Sequence, residues 1–196
     1  MRYADALNTF MEAAPSKTVF IVGTFPTRQN GWVLTIVRTV DRKIRKMKEF
    51  CKGAAWSAKK VGTTYVVSVA DGASLVEALA DFVDQLDVRA GHLSGIGATD
   101  EVTLRFFDPQ TKEYVSETFR EQMEISNLSG NIAEIEGNTV LHLHVTLGRN
   151  DYTALAGHLL DARIRGAGEF FVYPLETKLV KTKDDDTGLH LFDFSK

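Results

Sequence analysis

The sequence predicts an α+β fold: a mainly antiparallel sheet with a few flanking helices, entered through an N-terminal extension. Three observations predict it. One well-capped amphipathic helix comes early, strand-like runs then follow one another with turn residues between them, and the charge changes sign near residue 60. At 196 residues, 44% hydrophobic and 25% charged, the chain has a globular composition and length enough for one domain plus an extension.

The charge shift sets the organisation. Residues 1–60 hold twelve Lys/Arg against four Asp/Glu, and residues 61–196 hold eleven against twenty-two. Residues 1–60 therefore read as a basic extension, 61–176 as the domain and 177–196 as an acidic tail. In the extension, "ADALNTFMEA" and "VDRKIRKMKEFCK" have helical spacing, the second through Val40, Ile44, Met47 and Phe50. The stretch between them reads as loop or short strand.

The body is sharper. "TTYVVSVA" (63–70) is β-branched and predicts a strand, and Asp71-Gly72 turns the chain. Residues 74–86 form the helix. Ser74 with Glu77 three residues on is a capping box, and Leu75, Leu79, Phe82, Val83 and Leu86 make the apolar stripe. "AGHLSGIGATDEVTLRFFD" predicts two strands broken around Gly95, Gly97 and Thr99–Asp100. "DPQTKE" is a turn. Strands follow at "EYVSETF", "QMEISNLSGNIAEI", "TVLHLHVTL", "TALAGHLLDARI" and "GEFFVYPLE". Glu136-Gly137-Asn138 and Arg149-Asn150-Asp151 are hairpin turns.

One cysteine, Cys51, excludes an internal disulfide and fits a reducing compartment. The longest apolar runs, "TVFIVGTF" and "WVLTIV", fall well short of the ~18 residues that span a bilayer, and neither is followed by a cleavage site. A cytoplasmic protein without membrane contact is expected.

Three of the five histidines lie in "LHLHVTLGRNDYTALAGHLL". On a strand, His142 and His144 share a face with Cβ atoms roughly 6–7 Å apart. If Arg149-Asn150-Asp151 is a three-residue loop, His158 lies opposite His142 on that same face; a two-residue loop would turn it away. Three neutral imidazoles on adjacent strands suit zinc or another divalent transition metal, one ion per site, and leave a fourth position open. The plainer alternative is three histidines on a polar strand face. Glu124 is a candidate general base or partner of a ligating imidazole, and equally a solvated carboxylate. His92 is a candidate fourth ligand or an ordinary half-buried histidine. No Walker loop, nucleophile elbow or Gly-x-Gly-x-x-Gly occurs.

The order of four motifs is distinctive: Ser-Gly-Ile-Gly-Ala (94–98), Glu-Ile-x-x-Leu-Ser-Gly-Asn (124–131), the His-x-His strand and the Gly-His-Leu strand. In this the chain resembles the Plant and Prokaryote Conserved (PPC) domain family over residues 61–175. The resemblance implies a mostly antiparallel sheet with few helices, a homotrimer, and metal ligation by His142, His144 and His158 near a subunit contact. It also implies the label of a predicted DNA-binding protein. The chain departs from the family at His92, where a large apolar residue is usual, and at Ala156, where a second glycine is usual. It lacks the Arg-Gly-Arg-Pro hook of plant members, and its acidic body opposes a polyanion.

Three functions follow as expectations. The first is a metal-holding binding or regulatory protein that touches DNA through basic residues 38–60, a segment that also reads as a solvated basic helix. The second is a metal-dependent enzyme acting on a small molecule at the open position, with Glu124 near the proton. The third is a purely structural metal.

Overall fold

The computed structural model describes residues 20–26, 32–38 and 50–196, and the chain divides into two compact units, Met1–Lys48 and Glu49–Lys196. In the first unit the two apolar runs form an antiparallel hairpin, β1 (Phe20–Pro26) and β2 (Trp32–Arg38), paired from Phe20↔Arg38 to Pro26↔Trp32. The helix expected at "ADALNTFMEA" lies outside the described residues, as does most of the second. The end of that second segment is a strand, β3 (Phe50–Lys52), because Phe50, Cys51 and Lys52 pair with β4 (Trp56–Val61).

Residues 50–60, read from their charge as extension, belong to the second unit. Trp56 and Ala58 are buried in its core, and β4 forms a hairpin with β5 (Thr64–Val69). Charge was misleading here because Lys59 and Lys60 sit at exposed strand positions while their apolar neighbours point inward.

The capped helix forms as expected. Helix α1 (Leu75–Gln85) has Ser74 as N-cap, whose Oγ accepts from the Glu77 N–H at 3.2 Å. Leu75, Ala78, Leu79, Phe82 and Val83 are buried, and the Phe82 ring meets Trp56 and Tyr65 edge-on at 5.0 and 5.4 Å. It is the one helix among the described residues, so the expectation of a few flanking helices gives way to a sheet-dominated fold.

The two strands expected around Gly95 and Gly97 are one strand, β6 (Gly91–Asp108). The expected breaks are bulges: the register with β8 slips between Gly95 and Gly97. A Cβ on Gly95 would lie 2.4 Å from the Glu169 carbonyl, so glycine permits the close approach of strands there. After it come β7 (Glu113–Phe119), β8 (Met123–Ile135) and β9 (Asn138–Gly148). The segments "TALAGHLLDARI" and "GEFFVYPLE" are likewise one bent strand, β10 (Ala154–Pro174). The tail adds β11 (Val180–Lys183), parallel to β8, and β12 (His190–Phe192).

These ten strands make one sheet in which β6, β8, β9 and β10 pair in a closed cycle. Its inward residues, among them Leu93, Leu128, Leu143, Val145, Leu147, Leu159 and Phe170, form the core with α1. The residues between them in sequence face outward. Among the described residues no helix is long and apolar enough to cross a membrane.

Candidate metal centre

On β9, Leu143, Val145 and Leu147 are buried, so His142 and His144 are carried on the outer face. The turn that follows decides where His158 falls. Arg149 and Thr153 close it, the Arg149 N–H donating to the Thr153 carbonyl at 2.9 Å, and Tyr152 takes the left-handed conformation at φ 65°. The Asp151 carboxylate accepts from the Thr153 N–H at 2.9 Å and lies 2.6 Å from its hydroxyl. The loop thus has the expected three residues, placed one position later at 150–152. Moving its centre by one residue shifts the pairing by two. His158 therefore opposes His144 rather than His142, and parity keeps it on the same face.

The three rings converge. Their centroids lie 5.0 to 5.3 Å apart, and one ligand atom from each lies within 4.8 Å of the others. A tetrahedral zinc site needs these nitrogens about 2.0–2.1 Å from the ion. The donor set fits: it is all imidazole, which suits zinc and related transition ions and not calcium or magnesium. Two of the imidazoles, His142 and His158, are held towards the neutral form that ligation requires. Burial pulls His142 down to about 4, with Lys181, His158 and His144 adding to the effect. Burial also lowers His158, helped by His144, Arg105 and Lys181.

Four residues that sequence reading missed surround the rings. Lys181, on β11, is 6% exposed, and its Nζ lies 3.3 Å from His142 Nδ1 and 4.8 Å from the centre of the Phe192 ring. Arg105 opposes His158, and its guanidinium lies 5.8 Å from the centre of the Tyr114 ring, which in turn sits 5.5 Å from His158. Asn131 opposes His142, and its Oδ1 is buried with no partner. None had a local signal. Arg105 and Tyr114 meet His158 only through register, Asn131 was one residue of a motif, and Lys181 lay in a tail without periodicity.

The other expected residues lie apart. His92 opposes Asn131, which opposes His142, placing it two strands or roughly 10 Å away, where it stacks on Tyr173 at 5.8 Å. Glu124 shares the outer face but opposes Gly148, four residues and roughly 13 Å along β9 from His144. Within one chain it does not reach the rings. Lys181 and Asn131, not His92 and Glu124, are the neighbours of the cluster.

A long-stranded, mostly antiparallel sheet with one helix and an outward His-x-His strand defines a class of small domain. The chain belongs to the Plants and Prokaryotes Conserved (PCC) domain family, whose domain matches residues 57–176. A protein of Bacteroides thetaiotaomicron described as a candidate DNA-binding protein is 48% identical, with a TM-score of 0.71 over 72% of this chain and 99% of that one. A metal-containing protein from Archaeoglobus fulgidus is 33% identical, with a TM-score of 0.63 over 68% and 94% of the two chains. A plant- and prokaryote-conserved (PPC) protein of Pyrococcus horikoshii shares the fold at 24% identity, with a TM-score of 0.62 over 74% and 99%. None of the curated proteins matches this chain.

Proposed function

We propose that this protein holds one divalent transition metal ion, zinc or a near equivalent, on His142, His144 and His158, and that it works as a homotrimer. The observation that carries the metal reading is the convergence of three ligand atoms within 4.8 Å on one face, with both strands fixed by buried neighbours. The 33% identical relative is itself a metal-containing protein. The ion would supply Lewis acidity at an open fourth position. The chain's own residues favour the neutral forms of His142 and His158 and shield one side with β11. The test is elemental analysis of protein purified without affinity metal. One ion per chain is expected, lost in His142→Ala and His158→Ala. Stoichiometric metal retained in both variants rejects the assignment.

Trimer assembly is supported by an apolar area on the outer face. Phe50, Lys59, Val66, Phe171 and Ser94 lie in one register row across β3, β4, β5, β10 and β6. In that row Phe50 is 63% and Phe171 44% exposed, and Ile96 nearby is 56% exposed.

The description of the 48% identical relative as a candidate DNA-binding protein supports a DNA-contacting role for this chain, carried by basic residues 38–60 because residues 61–196 are acidic. Duplex affinity should then fall with salt at a log–log slope of about −0.9 per phosphate contact. Binding that is absent or indifferent to salt removes this role. A second reading, catalysis on a small molecule at the open position, is favoured by Lys181 and Arg105, cations that flank the rings and form no ion pair among the described residues.

A further inference from the structure

We infer that the centre takes a small oxyanion, a carboxylate or phosphate group, held against Lys181 and Arg105 at the open metal position. This rests on the metal reading above and names the ligand class that the surroundings of the rings admit.

The argument begins with unbalanced charge. Lys181 is nine-tenths buried beside His142, and Arg105 stands opposite His158 with its Nε buried and without a hydrogen-bond partner. Among the described residues neither forms an ion pair, although eight such contacts occur elsewhere. The carboxylate nearest to Lys181 in register, Glu134, pairs with Lys178 at 3.0 Å. No carboxylate belongs to the ligand set. A divalent ion on three neutral imidazoles would therefore add two positive charges to a half-buried site that already holds two more. Uncompensated charge in such a place is costly, and a bound anion is what relieves it.

Geometry narrows the class further. Arg105 is oriented by the Tyr114 ring and offers a planar fork suited to two oxygens of one carboxylate or phosphate. Lys181 offers a point charge beside His142, its Nζ 4.8 Å from the centre of the Phe192 ring of β12. Both β11 and β12 lie beyond the family-matched residues 57–176. A neutral ligand would leave both cations unpaired.

The test uses full-length protein loaded with cobalt(II), whose visible absorption reports directly on the metal's ligands. Sodium acetate and methyl phosphate serve as probes, with acetamide as the neutral control. A saturable spectral change with at least one of the two anions and none with acetamide is expected, and the stronger of the two identifies the oxyanion. Lys181→Met and Arg105→Met should each retain cobalt and weaken anion binding about tenfold to a hundredfold, the worth of one charge-assisted hydrogen bond. Lys181→Arg should recover part of the loss. Cobalt bound with no anion response, or a response unchanged in both Met variants, overturns this inference and leaves the metal reading standing. No cobalt uptake by the wild-type protein overturns the metal reading itself.

Discussion

At the scale of single residues, His142 is the most informative side chain. Its ordinary value of 6.5 falls to about 4 because burial, Lys181 and two other imidazoles all oppose its charge. In metal-free protein the unfolded chain takes up a proton at this residue below pH 6.5, while the folded chain resists until about pH 4. Stability therefore rises with pH in this window and is lost on acidification from 6.5 towards 4. Thermal unfolding of metal-free protein should show a falling Tm over that range, and His142→Asn should flatten part of the slope. An equal slope in the variant would mean other groups govern it. Gly130 is a second sensitive position. It opposes Leu143, between the two β9 histidines, and an added Cβ would meet the Leu143 side chain at 2.7 Å and press on the His142 carbonyl. Gly130→Ala should cost about 1–3 kcal/mol in denaturant unfolding and loosen metal retention, because the backbone that must yield carries a ligand. Unchanged stability and metal content would show that β8 can move freely away from β9.

At the scale of elements, α1 is tied to the sheet through its first turn. Ser74 Oγ caps the Glu77 N–H and lies 3.0 Å from Asp161 Oδ1, which also accepts from the Val76 N–H at 3.1 Å. Ser74→Ala removes a cap and a link to β10, so a loss of about 1 kcal/mol, possessed by most N-caps, is a lower bound. Urea unfolding measures it, and metal content should not change because the helix supplies no ligand. A helix of this kind was legible because capping and stripe are local signals. The His-x-His face was legible because strand periodicity is local too. What was not legible depended on long-range choices. Bulges at Gly95 and Gly97 let one strand continue where the glycines suggested a break. The three-residue loop sits one position later, with Tyr152 in the left-handed conformation and the Asp151 carboxylate accepting from the Thr153 N–H. That moved the partner of His158 by two residues yet left its face intact, because the error was even. Lys181 could not be placed at all from sequence, since only the parallel pairing of β11 with β8 brings it to His142.

At the scale of the whole molecule, one outer face carries both features of interest. Tyr173, His92, Asn131 and His142 form a continuous register row, so the apolar area around Phe171 and the histidine cluster are neighbours on the same surface. The opposite face is spent on α1 and the core. A partner covering Phe50, Val66, Ile96 and Phe171 would thus approach the metal centre without having to build it, since all three ligands come from one chain. Assembly and metal binding are separable on this account. Phe171→Glu places a charge in the middle of the apolar row, where a buried contact would leave it unpaired. Sedimentation velocity should show the wild type as a trimer and the variant shifted to smaller species. Elemental analysis should still find one ion per chain in the variant. A trimer that survives Phe171→Glu would put the subunit contact on another surface, and metal lost together with the trimer would mean that a neighbouring subunit completes the coordination.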